Sequence, residues 1–281
     1  MRFAGCAPAW RPGEAGKKPS CLVVLDGRGG LISNSFPEDA RKIAGAVEEH
    51  AAEGILVGID APLAVPNERG TRPIERVLSR VFLPAYSASR RMFRGQPFAE
   101  ELLAELQRVG VEYTDYPLPG REGRWAVEVN SAAALRVLAL ERSGERNGGL
   151  ARRLREAPEL RYRKGNKEGR AAALREAISI LWDTPGLRLR TGGLTDDLSS
   201  AENVDLSRLE VTPQLSHAEL DRIVGLVEAT LAAYTVHRHW RGRDGSMVVG
   251  SGREGAVMLP AGRELYELLS AGCREEGVPY V

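Results

Sequence analysis

The sequence predicts an α/β protein built on a mixed sheet. Three short β-rich runs come first, joined by loops containing Gly or Pro. An amphipathic stretch separates them from a fourth, wholly apolar run, and helical patterns dominate thereafter. The chain has 281 residues, 43% hydrophobic and 27% charged, with a net charge of +1. That is enough for one large domain or two small ones with a sizeable core, and it argues against a disordered chain.

The elements follow in order. Arg2 to Cys6 is a short apolar run, and a Gly/Pro/Lys loop (Arg11 to Lys18) follows it. Cys21 to Leu25 is β-rich and ends at the turn signals Asp26-Gly27 and Gly29-Gly30; Leu31 to Asn34 is the third strand. Pro37-Glu38-Asp39 opens a helix with apolar positions at Ile43, Ala44, Val47 and Ala51, and Gly54 stops it. Ile55 to Ile59 reads as a strand buried on both faces, with a crossover long enough for parallel pairing.

Residues 64–124 read as an insertion over one end of the sheet, helical over Glu75 to Phe82 and Phe98 to Val109. Trp125 to Val129 is a fifth strand. Ser131 to Leu140, much of Leu150 to Trp182 and Glu219 to His237 are helical, and the acid-rich stretch Thr195 to Glu210 is expected to be a mobile loop. Met247 to Val249 and Ala256 to Leu259 form a C-terminal β-hairpin, and Gly262 to Gly272 is a closing helix. These elements make up a single domain over residues 1–281.

Several functions are argued against by what the sequence lacks. No apolar run approaches the ~18 residues of a membrane helix, and Met1 to Trp10 is too short and too broken for a signal peptide. Cys6, Cys21 and Cys273 are odd in number and far apart, which argues against a disulfide framework or a zinc ribbon. A cytoplasmic protein without a membrane partner is the expectation. Gly250 to Gly255 fits G-x-G-x-x-G, but a strand-like run follows it, so it reads as a hairpin turn rather than a dinucleotide loop. His237 and His239 fall on different helix faces and read as an exposed helix end.

Carboxylates carry more information. Asp60 ends an apolar strand, where open α/β sheets place ligands. Glu128 lies near the end of the fifth strand, and Asp221 opens a late helix, with Glu228 two turns on along the same face. A turn cap, an edge-strand acid and a macrodipole acid are the plain alternatives. Together, carboxylates on two strand ends and a helix suit hard cations such as Mg2+ or Mn2+, and paired ions can drive phosphoryl displacement. Residues 142–175 hold eleven Arg or Lys against four Glu, whereas residues 194–228 hold eight acids against two Arg. Cations for a phosphate backbone beside acids for metal fit phosphodiester chemistry; two charged surfaces that bind each other are the alternative.

Gly5 through Ala9-Trp10, Gly58-Ile-Asp-Ala-Pro-Leu63, Glu128-Val129, Lys164-x-x-Lys167-x-x-Arg170, Leu220-Asp221 and Glu254-Gly255-Ala-Val-Met-Leu-Pro260 occur in that order. In this the chain resembles the domain-of-unknown-function 429 family, described as nucleases of RNase H-like fold. The resemblance implies an RNase H-like mixed five-stranded sheet flanked by helices, its first three strands antiparallel. It implies catalytic Asp60, Glu128 and Asp221, with Asp60 and Asp221 on Mg2+ or Mn2+, and phosphate-binding Lys164, Lys167 and Arg170. Nucleic acid is the implied partner.

One position departs from the family's pattern: Ala7 stands where the first strand usually carries a metal-binding Asp. Asp26 or Glu14 could replace it only if the fold brings one of them close. The expectation is therefore a metal-dependent nuclease; the alternative is a non-catalytic nucleic-acid- or nucleotide-binding protein with a degenerate site.

Overall fold

The first three apolar runs pair side by side as expected. In the computed structural model, which describes residues 1–8, 19–93, 98–144, 149–189, 195–242, 245–252 and 254–281, strands β1 (Arg2–Ala7), β2 (Cys21–Leu25) and β3 (Leu31–Ser35) form an antiparallel meander. Helix α1 (Ala40–Glu48) starts where the Asp39 side chain accepts from the Lys42 backbone N–H, and it buries Ile43, Ala44 and Val47. It returns the chain to β4 (Ile55–Ile59), which is parallel to β1 and buried throughout.

The insertion builds more sheet than the sequence predicts. After α2 (Pro73–Arg80) and α3 (Arg90–Phe93), helix α4 (Phe98–Arg108) packs Phe98, Leu102 and Leu106 into the same core as Ile43 and Val47. A two-residue strand, β5 (Glu112–Tyr113), then pairs parallel with β6 (Arg124–Glu128). The sheet order is β3-β2-β1-β4-β6-β5, so the expected five strands are six. Two residues are too few for a period-two pattern to show.

Alternation along the strands sends side chains to two cores. Ala4, Cys6, Val57 and Ile59 face α1 and α4. Phe3, Ala7 and Leu56 face α5 (Ser131–Ser143), α7 (Lys167–Asp183) and α8 (His217–Arg241). Gly5 and Gly58 let α8 lie directly on β1 and β4: a Cβ at Gly5 would sit 1.9 Å from the Ala229 carbonyl oxygen, and one at Gly58 2.7 Å from that of Ala232. Strands β7 (Ser246–Ser251) and β8 (Gly255–Pro260) form the expected C-terminal hairpin. The hairpin shares a third core with α2 and α9 (Arg263–Glu276), which includes Ile74, Leu78, Val249, Leu259 and Leu269.

Two expectations are corrected. The 195–210 segment has fixed partners: Asn34 on β3 donates to the Val204 carbonyl (2.8 Å) and accepts from the Val204 N–H (2.9 Å). His237 and His239 are both buried rather than exposed at a helix end. His237 packs edge-on against Phe3, and His239 bridges the Ser246 hydroxyl and the Pro117 carbonyl. Among the described residues no helix is long and apolar enough to cross a membrane.

Candidate functional site

Parallel pairing sets the ends of β1 and β4 level. Cys6 stands opposite Ile59, and the Asp60 N–H donates to the Cys6 carbonyl (2.8 Å). Asp60 therefore leaves β4 beside Ala7, the position where the family pattern calls for an acid. Its carboxylate is 1% exposed and fully engaged. One oxygen accepts from the Ser131 N–H at the start of α5 (2.7 Å) and from the Tyr86 hydroxyl; the other accepts from Arg163 (3.1 Å). The Tyr86 hydroxyl also lies 2.9 Å from the Val129 carbonyl oxygen. Burial, reinforced by the Asp60 charge, pushes the Tyr86 phenol up, so it remains a neutral donor.

Arg163 reaches a second acid. Its Nε donates to Glu228, which α8 carries over the strand ends. Burial, and then the neighbouring Asp60 charge, raise the Glu228 carboxyl to about 7 against the pull of Arg163. Burial opposes the Arg163 charge, yet Glu228 and Asp60 keep it cationic. The centre is thus two carboxylates with a guanidinium between them, in the place the sequence reading gives to a metal ion.

The expected site residues do not all meet here. Asp221 lies two helical turns from Glu228, about 10 Å along α8, and pairs with buried Arg170 (2.5 Å). Arg170 also donates to the Tyr162 carbonyl (3.1 Å), so it locks α7 to α8 rather than facing a ligand. Glu128 is 1% exposed and belongs to another network. Its two oxygens accept from Arg72 (2.7 and 2.9 Å), and one also accepts from the Leu63 N–H (2.8 Å). Arg72 donates to Glu75 as well (3.1 Å), which in turn accepts from the Ala88 N–H. Burial raises the Glu128 carboxyl and Arg72 counteracts it. This network fastens the insertion to the sheet.

Lys164 is exposed next to Arg163, and Lys167 opens α7 half-buried. Asp26 caps the β2–β3 turn, accepting from the Gly30 N–H (2.7 Å), at the end of the sheet opposite Asp60, and Glu14 lies outside the described residues.

Sequence reasoning missed Arg163, Tyr86 and Arg72. Beyond Asp60, the signal that pointed to the centre was Glu228, which shares a helix face with Asp221. The charge alternative is partly realised, because Arg163–Glu228 and Arg170–Asp221 join the basic segment to the acidic one.

The donor set does not fit the expected ion. Among the described residues no group of three His, Cys, Asp or Glu side chains could hold a metal. Ala7 has no side-chain oxygen, and Arg163 already engages both carboxylates. A cleft of about 1050 Å3 opens alongside, lined in part by Tyr86, Tyr162, Arg163 and Lys164.

A family model described as "Protein of unknown function (DUF429)" matches residues 16–249. The match takes in Asp60, Glu128, Arg163, Asp221 and Glu228, and it leaves β1, with Ala7, and β8 outside. No curated protein and no solved structure matches the chain.

Proposed function

This chain belongs to the DUF429 family, and we propose that it binds nucleic acid without cleaving it, on an RNase H-like core whose cation centre is filled by Arg163. The observation that carries this reading is the Arg163 guanidinium between Asp60 and Glu228, beside Ala7. A fixed internal cation neutralises the carboxylates that nuclease chemistry would need for ions. The RNase H-like reading is supported by the strand sequence β3-β2-β1-β4-β6, antiparallel over its first three members and parallel over the rest, with β5 an addition at the edge. Lys164 and Lys167 remain as phosphate contacts, whereas Arg170 is committed to Asp221.

The test is fluorescence anisotropy on labelled single-stranded and duplex oligonucleotides across a salt series, with cleavage followed in the same samples. We expect salt-dependent binding of intact nucleic acid. Lys164→Ala with Lys167→Ala should flatten the log–log salt slope by about one per lysine. An absence of binding to any of these oligonucleotides overturns the proposal.

A metal-dependent phosphodiester hydrolase is the second reading, favoured by the two carboxylates that face one cation at the strand ends. Cleavage that requires Mn2+ and is lost in Asp60→Asn would establish it. If cleavage appears only in Ala7→Asp, the native centre is a degenerate one.

A further inference from the structure

We propose that the cleft beside the Asp60–Arg163–Glu228 centre binds a phosphomonoester carried on an apolar or aromatic body, a ligand of nucleoside-monophosphate size. The inference does not rest on the nucleic-acid reading, since no strand has to enter the cleft. About 1050 Å3 is slightly larger than most small-molecule sites, so a nucleoside monophosphate would fill part of it. The walls are of two kinds: Leu135, Leu140 and Ile180 give an apolar side, and Arg136, Arg153, Arg161, Arg163 and Lys164 supply cations. Such a division suits a ligand with an anionic end and a flat or apolar end.

The charge balance selects the anion. Three acids also line the cleft, and each is engaged: Glu156 by Arg152, Glu159 by Arg161 and Glu176 by Arg142. Of the cations, Arg163 pairs with Asp60 and Glu228, Arg153 with Glu264, and Arg161 with Glu159. Arg136 and Lys164 have no carboxylate within ion-pair distance among the described residues.

Arg136 is the stronger indicator. From α5 it donates one Nη to the Leu154 and Ala157 carbonyls at the end of α6 (Leu150–Glu156). Its Nε is buried and finds no acceptor among the described residues. Burial lowers its pKa against the pull of the Glu159 charge. An unmet buried donor is costly, and a ligand oxygen would satisfy this one. Two cations outside any ion pair among the described residues suit a phosphomonoester, which carries close to two negative charges at neutral pH.

The experiment is calorimetric titration of the full chain with AMP, adenosine and inorganic phosphate. AMP should saturate one site at least about tenfold more tightly than adenosine or phosphate, because only AMP uses both walls. Exposed Lys164 can be replaced without threatening the fold, and Lys164→Ala should weaken AMP about tenfold. Ala139 lines the cleft from α5, so Ala139→Trp should abolish AMP binding with the circular dichroism unchanged. If that variant misfolds, Lys164→Ala decides.

No saturable heat from AMP overturns the proposal. So does phosphate binding as tightly as AMP, or AMP affinity unaltered in a folded Ala139→Trp. AMP binding without oligonucleotide binding retains the cleft and removes the nucleic-acid reading; the reverse removes the cleft alone.

Discussion

Glu228 shows how one residue's surroundings set a property of the whole chain. Its side chain is 12% exposed and faces both Asp60 and Arg163. Its carboxyl titrates at about 7 when folded, against an ordinary 4.5. Between those values the folded chain keeps a proton that the unfolded chain releases. The resulting stabilisation is full below the unfolded value and is lost as pH rises through about 7. Glu228→Gln cannot titrate. Urea unfolding should therefore show the native protein losing roughly 1–3 kcal/mol relative to the variant between about pH 5 and pH 8. Parallel pH profiles for the two proteins would contradict the placement of Glu228 against Asp60. Only the helix-face relation to Asp221 marked this acid in the sequence, because its burial and its approach to Asp60, which together raise its pKa, arise only when distant segments pack.

At the scale of elements, two contacts decide how the layers meet. Helix α8 lies on β1 and β4 because Gly5 and Gly58 have no side chain to hold it off. The atoms that a Cβ at Gly5 would strike are backbone, which cannot swing aside. Gly5→Ala should cost about 3 kcal/mol or more in urea unfolding; a change under about 0.5 kcal/mol would mean that α8 sits further from the sheet. The insertion is fastened differently. Arg72 is fully buried between Glu75 and Glu128. Arg72→Met strands two buried carboxylates and should cost roughly 3–5 kcal/mol. Limited proteolysis should then cut first between α2 and α4, where the Glu75 hydrogen bonds to Ala88 loosen. Cleavage elsewhere first would mean that this network does not hold the insertion. The glycines were visible in the sequence, but which helix they admit was not. Arg72 carried no signal, since its partners lie three and 56 residues away.

For the molecule as a whole, the near-neutral net charge conceals a basic and an acidic segment joined by two ion pairs, Arg163–Glu228 and Arg170–Asp221. Arg163 and Arg170 are committed internally, which leaves Lys164 and Lys167 as the members of the basic motif able to meet a partner. The two kinds of residue should separate by experiment. Arg170→Ala should lower the melting temperature and leave the salt slope of nucleic-acid binding unchanged, since the residue is 5% exposed and paired with Asp221. Lys164→Ala should do the reverse. A steeper loss of binding in Arg170→Ala than in Lys164→Ala would make Arg170 a ligand contact.

Outside the insertion, the order of strands and helices was legible in the sequence, because apolar periodicity and the Gly, Pro and Asp punctuation are local properties. The antiparallel meander, the return to a parallel β4, the hairpin and the late helices follow from segments of five to twenty-five residues. Asp60 was legible for the same reason: an acid that ends a wholly apolar strand is conspicuous wherever that strand packs. Partnership is not a local property. The tertiary structure alone decided that Glu228 rather than Asp221 faces Asp60, that Arg163 stands between them, and that Glu128 belongs to Arg72. An ion pair depends on which side chains converge after the layers have packed, and the partners here come from separate loops and helices whose spacing in sequence carries no trace of their meeting in space.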